Sequence, residues 1–167
     1  LEAKTEIDDL NPLTAYSRSK VSMEGSLAEL ADDQFTVTSL RFATACGMSD
    51  RLRLDLVLND FVAGAITTGE ISVLSDGTPW RPVVHINDVC DALLSGLIAP
   101  VDLVGGKSFN VGILNGNFTV TDLAKAAQKL VPGSKIFIAG GHTDARTYKV
   151  SFKKILTQLK DYFNPKW

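Results

Sequence analysis

Tyr16 and Lys20 are the residues of this chain whose types and spacing most directly suggest chemistry. Four residues apart on a helix, their side chains stand on one face within reach of each other. A lysine ammonium beside a phenol favours the phenolate, which makes the tyrosine a stronger acid that can carry a proton near neutral pH. A surface helix with an ordinary exposed lysine explains the same spacing, because so short a pair also occurs by chance.

An arginine in a constrained position is the second candidate. Arg81 stands between Trp80 and Pro82, just before a short extended run. Few conformations are open to such a side chain, which suits a fixed guanidinium fork for a phosphate. Stacking on Trp80 for packing is an equally good explanation. His85 is interpreted as a hydrogen-bonded residue that locks the strand-to-helix turn rather than as a catalyst.

Two further segments contain arginines in polar surroundings. Arg146 belongs to the loop 144–151, where on its own a surface salt bridge is the favoured role. Arg51 and Arg53 precede an amphipathic helix. They could meet an anion, but pairing with the neighbouring aspartates explains them equally well.

Helical and extended patterns alternate along the chain. Five helices are predicted. The first is capped by Asn11, has Pro12 at its first position and runs to about Ala31, and the second covers 54–66 and is stopped by Gly69. The third is capped by Asn87 and Asp88 and ends near Pro100. The fourth is capped by Thr121 and has the core face Leu123, Ala126, Ala127 and Leu130, and the last contains Phe152, Ile155, Leu156 and Leu159. The predicted strands are 35–43, 71–74, 82–86, 107–111 and 135–139. Strands that alternate with helices predict an α/β fold with parallel pairing.

The composition argues against several classes of protein. The 167 residues suit one domain, and the net charge of −2 with an isoelectric point of about 5.6 leaves no basic excess to hold a nucleic acid. No apolar run approaches the length of a membrane span. Cys46 and Cys90 lack ligand spacing, so we expect small buried hydrophobes in a reducing, cytoplasmic compartment and no metal site.

Five motifs occur in an order that matches one family. They are the Tyr16-x-x-x-Lys20 helix, the strand end Leu40-Arg41-Phe42-Ala43-Thr44-Ala45-Cys46-Gly47, the run from Arg81 to Asp88, Phe109-Asn110-Val111-Gly112, and Asp144-x-Arg146-x-Tyr148. Together they resemble the NAD-dependent epimerase/dehydratase family, the extended short-chain dehydrogenases that act on nucleotide sugars. The resemblance covers nearly the whole chain.

The resemblance implies a role for particular residues. Tyr16 would be the catalytic acid/base on a sugar hydroxyl, and Lys20 would assist it and hold the nicotinamide ribose of NAD or NADP. Phe42, Ala43 and Thr44 would lie where nicotinamide and sugar meet. Arg81 and Arg146 would grip the substrate's diphosphate, with Thr44 beside the sugar. A neutral, non-sugar substrate of a related reductase or dehydrogenase would give these arginines nothing to hold.

Two departures from the family pattern qualify these expectations. Thr44 stands where the family often has an asparagine that holds the nucleotide sugar, which puts a standard UDP-hexose in doubt. No glycine-rich turn of the dinucleotide-binding type occurs in the sequence. We therefore expect the later part of a Rossmann-type parallel sheet plus the small substrate-binding subdomain, with the N-terminal dinucleotide half missing.

We expect the chain to contain two parts, and we expect it to be incomplete as an enzyme. Residues 1–69 and 88–112 would supply later Rossmann elements, and 70–87 and 113–167 mainly the substrate-binding subdomain. Alone, the chain would bind NAD incompletely and be inactive, or act only as a nucleotide-diphosphate-binding fragment. The strand 35–43 would have an unpaired edge, which predicts a homo-oligomer.

Overall fold

The computed structural model describes residues 1–140 and 146–166. Its strands are β1 (Ala3–Lys4), β2 (Thr38–Phe42), β3 (Thr44–Cys46), β4 (Glu70–Val73), β5 (Trp80–His85), β6 (Lys107–Val111), β7 (Asn117–Thr119), β8 (Lys135–Ile138) and β9 (Lys149–Val150). Its helices are α1 (Ala15–Leu30), α2 (Val57–Thr67), α3 (Ile86–Ile98), α4 (Val101–Val104), α5 (Val120–Leu130) and α6 (Lys153–Gln158).

The strands pair mostly in parallel. The parallel pairs are β1 with β9, β2 with β6, β3 with β5, and β4 with β8. Only β5 and β7 among the described strands pair antiparallel. In the longest pair, Thr38 lies opposite Lys107 and Phe42 opposite Val111. The predicted α/β fold with parallel pairing is confirmed.

Three apolar clusters occur among the described residues, and the two larger ones hold the layers together. One packs α2 and α5 against β4, with Phe61, Ile71 and Leu123 at its centre. The other packs α3 and α6 around β6, with Phe109 and Ile155 fully buried. Helix α1 differs from α2, α3 and α5, because none of its 16 residues is buried.

Three helices are capped by residues other than those predicted, and α2 begins at Val57 rather than at residue 54. Helix α1 is capped by Thr14 rather than Asn11, since Thr14 and Ser17 exchange side-chain and backbone hydrogen bonds of 3.1 and 3.0 Å. Helix α5 is capped by Thr119 instead of Thr121, because Asp122 completes the same reciprocal pair. Helix α3 is capped by His85, not by Asn87 or Asp88.

Other differences concern burial and short strands. Ala126 and Leu130 are exposed, and Ala124 occupies the core face in their place, next to Leu123 and Ala127. Cys90 is exposed and Cys46 half-buried, so the expectation of two buried thiols was wrong. The strands β1, β3, β7 and β9, of two or three residues each, were not predicted.

The predicted strand over 35–43 is shorter in the structure. The Asp32 carboxylate accepts hydrogen bonds from the Gln34 and Phe35 backbone N–H groups, both at 2.8 Å, so the chain turns there and β2 begins only at Thr38.

Among the described residues, no helix is long and apolar enough to cross a bilayer. In the same part of the chain, no three acidic, histidine or cysteine side chains are grouped so that they could hold a metal ion.

Candidate functional site

Tyr16 and Lys20 meet on the exposed face of α1. The Lys20 Nζ lies 5.5 Å from the centroid of the Tyr16 ring, over its face. Tyr16 is 72% exposed, and Lys20 is exposed as well. The helical spacing therefore brings the phenol and the ammonium together, as predicted, on a surface that remains open to a ligand.

Helix α1 is fixed to the sheet by charged hydrogen bonds, and its apolar residues Val21 and Leu27 are only half-buried. The Glu24 carboxylate accepts hydrogen bonds from Arg41 Nε at 3.0 Å, Arg41 Nη2 at 2.6 Å and Ser108 Oγ at 2.7 Å. The Arg41 hydrogen bonds, followed by that from Ser108, hold the pKa of Glu24 below its ordinary value of 4.5. Sequence reasoning missed Glu24, although it lies eight residues after Tyr16, two turns along the same helix.

A cleft of about 570 Å³ lies near the ends of β3, β4 and β5. Thr44, Arg81 and Arg146 all line it, together with Tyr148. The residues assigned to substrate binding therefore share one cavity, although more than 60 positions separate Arg81 from Arg146. The start of α2 and the residues before it also line the cleft: Leu54, Asp55, Leu56, Val57, Asp60 and Phe61.

The two arginines are linked through the backbone. Arg81 Nη1 donates to the Trp80 carbonyl at 2.8 Å and also to the Arg146 carbonyl. The Trp80 N–H donates to Thr147 Oγ1 at 3.0 Å, so the segment that carries Arg146 runs beside the start of β5. Asp144, the first residue of the predicted motif, lies outside the described residues.

A cation does stack on Trp80, and it is Lys149. Its Nζ lies 3.7 Å from the centroid of a Trp80 ring, a distance at which the ring face attracts a positive charge. Lys149 belongs to β9. Its contact helps to hold residues 146–150 against the wall of the cleft.

The loop between β3 and α2 is held by Asn59. Its Oδ1 accepts from the Gly47 N–H at 3.1 Å, and its Nδ2 donates to the Arg53 carbonyl at 3.0 Å. Gly47 has φ +102°, and a Cβ there would lie 2.4 Å from His85 Nε2, so glycine is required where the backbone passes the imidazole. Only the folded chain brings these residues together, and no local pattern indicated Asn59.

Arg53 and His85, both near this loop, have defined partners in the structure. Arg53 pairs with Asp55 in a two-contact ion pair, with Nε and Nη2 at 2.7 and 2.6 Å from the carboxylate oxygens. The hydrogen bonds to Asp55, followed by its charge, raise the pKa of Arg53. His85 Nδ1 accepts from the Asn87 N–H at 3.2 Å, which confirms its predicted role in the turn.

The structure brings some of the predicted site residues together and leaves others apart. Phe42, 39% exposed, and buried Ala43 link β2 to Thr44 at the cleft. The described residues that line the cleft do not include Tyr16 or Lys20.

The sequence family follows from a direct match. The model of the NAD dependent epimerase/dehydratase family matches residues 1–112. The chain belongs to this family, as its ordered motifs predicted.

Solved structures give the same fold. The chain is similar to UDP-glucuronic acid 4-epimerase from Bacillus cereus, described in complex with UDP-glucuronic acid and NAD, with TM-score 0.84 and 19% identity over 100% of this chain and 52% of that one. It is also similar to dTDP-glucose 4,6-dehydratase from Bacillus anthracis in complex with NAD, with TM-score 0.77 and 23% identity over 100% and 52%.

A third similar structure is TunA, an NAD-dependent NDP-hexosamine 5,6-dehydratase involved in tunicamycin biosynthesis. Its TM-score is 0.80 at 22% identity, over 97% of this chain and 52% of that one. The chain thus spans about half the length of the solved structures that it matches. These matches and the parallel strands confirm the predicted fold class, part of a Rossmann-type α/β fold.

Proposed function

We propose that the intact protein carrying this chain is an NAD(P)-dependent nucleotide-sugar epimerase or dehydratase in which Tyr16 carries the proton. The observations that carry the proposal are the cleft shared by Thr44, Arg81 and Arg146, and the contact of Lys20 with Tyr16 on α1. Membership of an NAD-dependent family supports the redox half of the reaction. The complexes described for the similar Bacillus cereus epimerase support a nucleotide sugar as substrate.

The exposed face of α1 fits the ribose end of a dinucleotide. Lys20 offers an exposed ammonium and Tyr16 an exposed phenol, the donors that a sugar hydroxyl accepts. Phe42, Ala43 and Thr44 would border the nicotinamide. When bound, NAD or NADP supplies the hydride acceptor. The residues of the chain hold the cofactor and move the proton.

In this proposal Tyr16 takes the proton from a sugar hydroxyl at its phenol oxygen and returns it later. Lys20 would assist it, because the Lys20 ammonium lies over the Tyr16 ring, 5.5 Å from its centroid. Positioned acid–base catalysis of this kind contributes about 10²–10⁴-fold to a rate.

Arg81 and Arg146 would bind the diphosphate of the substrate. Guanidinium groups match phosphate oxygens through paired N–H donors, and Arg81 is half-buried, where its charge is less screened than at an open surface. The neighbouring Thr44 hydroxyl would face the sugar. Residues 70–87 and 113–167 would then form most of the substrate side, with the remaining elements on the cofactor side.

The test is Tyr16→Phe in the intact protein, with UDP-glucuronic acid, UDP-glucose and dTDP-glucose as substrates in the presence of NAD. We expect turnover to fall by about 10²-fold or more while NAD affinity changes little. Tyr162→Phe, which removes a hydroxyl from another exposed tyrosine, is the matched control and should keep full activity. Turnover that survives Tyr16→Phe would refute the assignment.

A second function is favoured by the fact that both arginines of the cleft belong to this chain. We propose that the isolated 167-residue chain binds nucleoside diphosphates without turning over a sugar. Calorimetry with UDP, dTDP, GDP and NAD tests this on the chain itself. We expect diphosphate binding that Arg81→Ala weakens by about tenfold or more, since one charge-assisted contact is lost, and no detectable NAD binding.

We also propose that the chain self-associates. Among the described strands, β2 pairs only with β6, so its other edge has no strand partner, and Phe35 and Phe42 are exposed nearby. Unpaired strand edges with apolar flanks favour association. Light scattering should give a mass of at least two chains, and a monomer at working concentration would contradict this proposal.

A further inference from the structure

The contacts of Glu24 attach α1 to the sheet in a way that also fixes the position of the helix. Glu24 accepts from two different strands at once: from Arg41 on β2 and from Ser108 on β6. Ser108 lies opposite Ser39 in the β2–β6 register, so the two donors come from neighbouring strands. A carboxylate held from two strands is fixed both along and across the sheet.

Arg41 extends this polar cluster to the segment before α1. Its Nη1 donates to the Glu6 carbonyl at 3.2 Å, while the Glu6 carboxylate accepts from the Asn110 N–H at 2.8 Å. The chain that leads into α1 is therefore tied to the same two strands. Among the 16 residues of α1, none is buried, so packing alone fixes the helix poorly.

The cluster joins the two parts of the proposed site. Arg41 is followed directly by Phe42, Ala43 and Thr44, the residues that lead from β2 to the cleft. Glu24 lies eight residues beyond Tyr16, about 12 Å along the helix axis. A tilt of about 5° at Glu24 would move Tyr16 by about 1 Å, and a displacement of that size can cost about 10²-fold in rate.

We infer that Glu24 is a positioning residue, which sets Tyr16 at the correct distance from the cleft through its contacts with Arg41 and Ser108. This inference rests on the proposed function. Glu24 does not line the cleft, so it acts through the placement of the helix and not by touching the substrate.

The test compares Glu24→Gln with Glu29→Gln in the intact protein. Glu29 is an exposed carboxylate on the same helix, so its replacement removes the same charge without a contact to the sheet. For Glu24→Gln we expect kcat to fall by about tenfold or more, with KM for the nucleotide sugar within about twofold, because the arginines of the cleft are untouched. Glu29→Gln should change neither constant.

Two further tests separate positioning from simple loss of stability. Ser108→Ala keeps the Glu24–Arg41 ion pair but removes one of the three hydrogen bonds that the Glu24 carboxylate accepts. It should lower kcat by about two- to fivefold. Glu24→Arg combined with Arg41→Glu restores opposite charges and should recover part of the kcat lost by Glu24→Arg alone. If Glu24→Gln does not fold, Ser108→Ala and the exchanged pair decide the question.

The outcomes distinguish this inference from the proposed function. If Tyr16→Phe abolishes turnover while Glu24→Gln and Ser108→Ala keep wild-type kcat, the positioning role is refuted and the function stands. If kcat falls only in proportion to the folded fraction measured by circular dichroism, so that kcat per folded enzyme equals that of the wild type, Glu24 is only structural. If Tyr16→Phe remains active, the proposed function itself fails.

Discussion

Replacing Glu24 with glutamine removes one charge from a partly buried ion pair and keeps nearly the same side-chain shape. The side chains of Arg41 and Glu24 are only 24% and 23% exposed, and their closest atoms lie 2.6 Å apart. Solvent therefore screens this pair weakly. Hydrogen bonds to a charged group are worth about 1.5–3 kcal/mol each, and the amide can still accept one, so we expect a loss of about 1–3 kcal/mol in the free energy of unfolding.

The Arg53–Asp55 pair provides an internal comparison. It has the same two-contact geometry and the same closest distance of 2.6 Å, but its side chains are 59% and 63% exposed. Exposed pairs contribute little because water and salt screen them. Asp55→Asn should leave the free energy of unfolding almost unchanged. The difference between the two variants therefore reports the effect of burial together with that of the additional Ser108 contact to Glu24.

The stabilisation by Glu24 should also depend on pH in a known direction. Its pKa in the folded chain is held below 4.5, chiefly by the Arg41 hydrogen bonds, so the unfolded state binds more protons in that range. The contribution is fully present above pH 4.5 and is lost as the pH falls through the lower, folded-state pKa. The gap between wild type and Glu24→Gln should therefore close in acid.

Urea unfolding of the three proteins at about pH 7 and about pH 3 measures these quantities. For a chain of this length, a loss of about 1–3 kcal/mol lowers the midpoint of thermal unfolding by roughly 2–12 °C. Equal losses for Glu24→Gln and Asp55→Asn would refute the argument from burial. A Glu24→Gln deficit that is the same at both pH values would refute the argument from charge.

Three further variants test other contacts. Gly47→Ala should destabilise the chain by about 1–3 kcal/mol, since it forces a side chain to positive φ and against the His85 imidazole, measured by thermal unfolding. Thr119→Ala should cost about 1 kcal/mol in urea unfolding, because α5 loses its N-cap. Asn59→Ala should speed cleavage by trypsin after Arg53 at least about twofold, because the loop loses both of its side-chain anchors; an unchanged cleavage rate would contradict that role.

The sequence predicted best those elements whose periodic apolar pattern is clear and whose two ends are marked unambiguously. Strand β6 was predicted with its observed bounds of 107–111. Helix starts were missed at α1 and α5, because two candidate caps stood within three residues of each other and only the reciprocal partners Ser17 and Asp122 decide between them. Strands of two or three residues carry no readable alternation, so β3 and β7 escaped.

Some residues of the candidate site could also be predicted from the sequence, and others could not. Tyr16 and Lys20 could be paired from spacing, since four residues on a helix determine a neighbour. The family resemblance, and not local pattern, indicated that Arg81 and Arg146 belong together. Glu24 and Asn59 escaped notice because their value lies in contacts with distant residues, such as Ser108, which is 84 positions away from Glu24.

The absence of any buried residue in α1 has a consequence for how this helix opens. Releasing α1 from the sheet would break charged hydrogen bonds but expose little further apolar surface, since Val21 and Leu27 are its only half-buried apolar residues and none is fully buried. The sensitivity of an opening to denaturant scales with the surface that it uncovers. Amide hydrogen exchange in α1 should therefore proceed through a local, nearly urea-independent opening, while the amides of β4 and β6 exchange only when the whole chain unfolds.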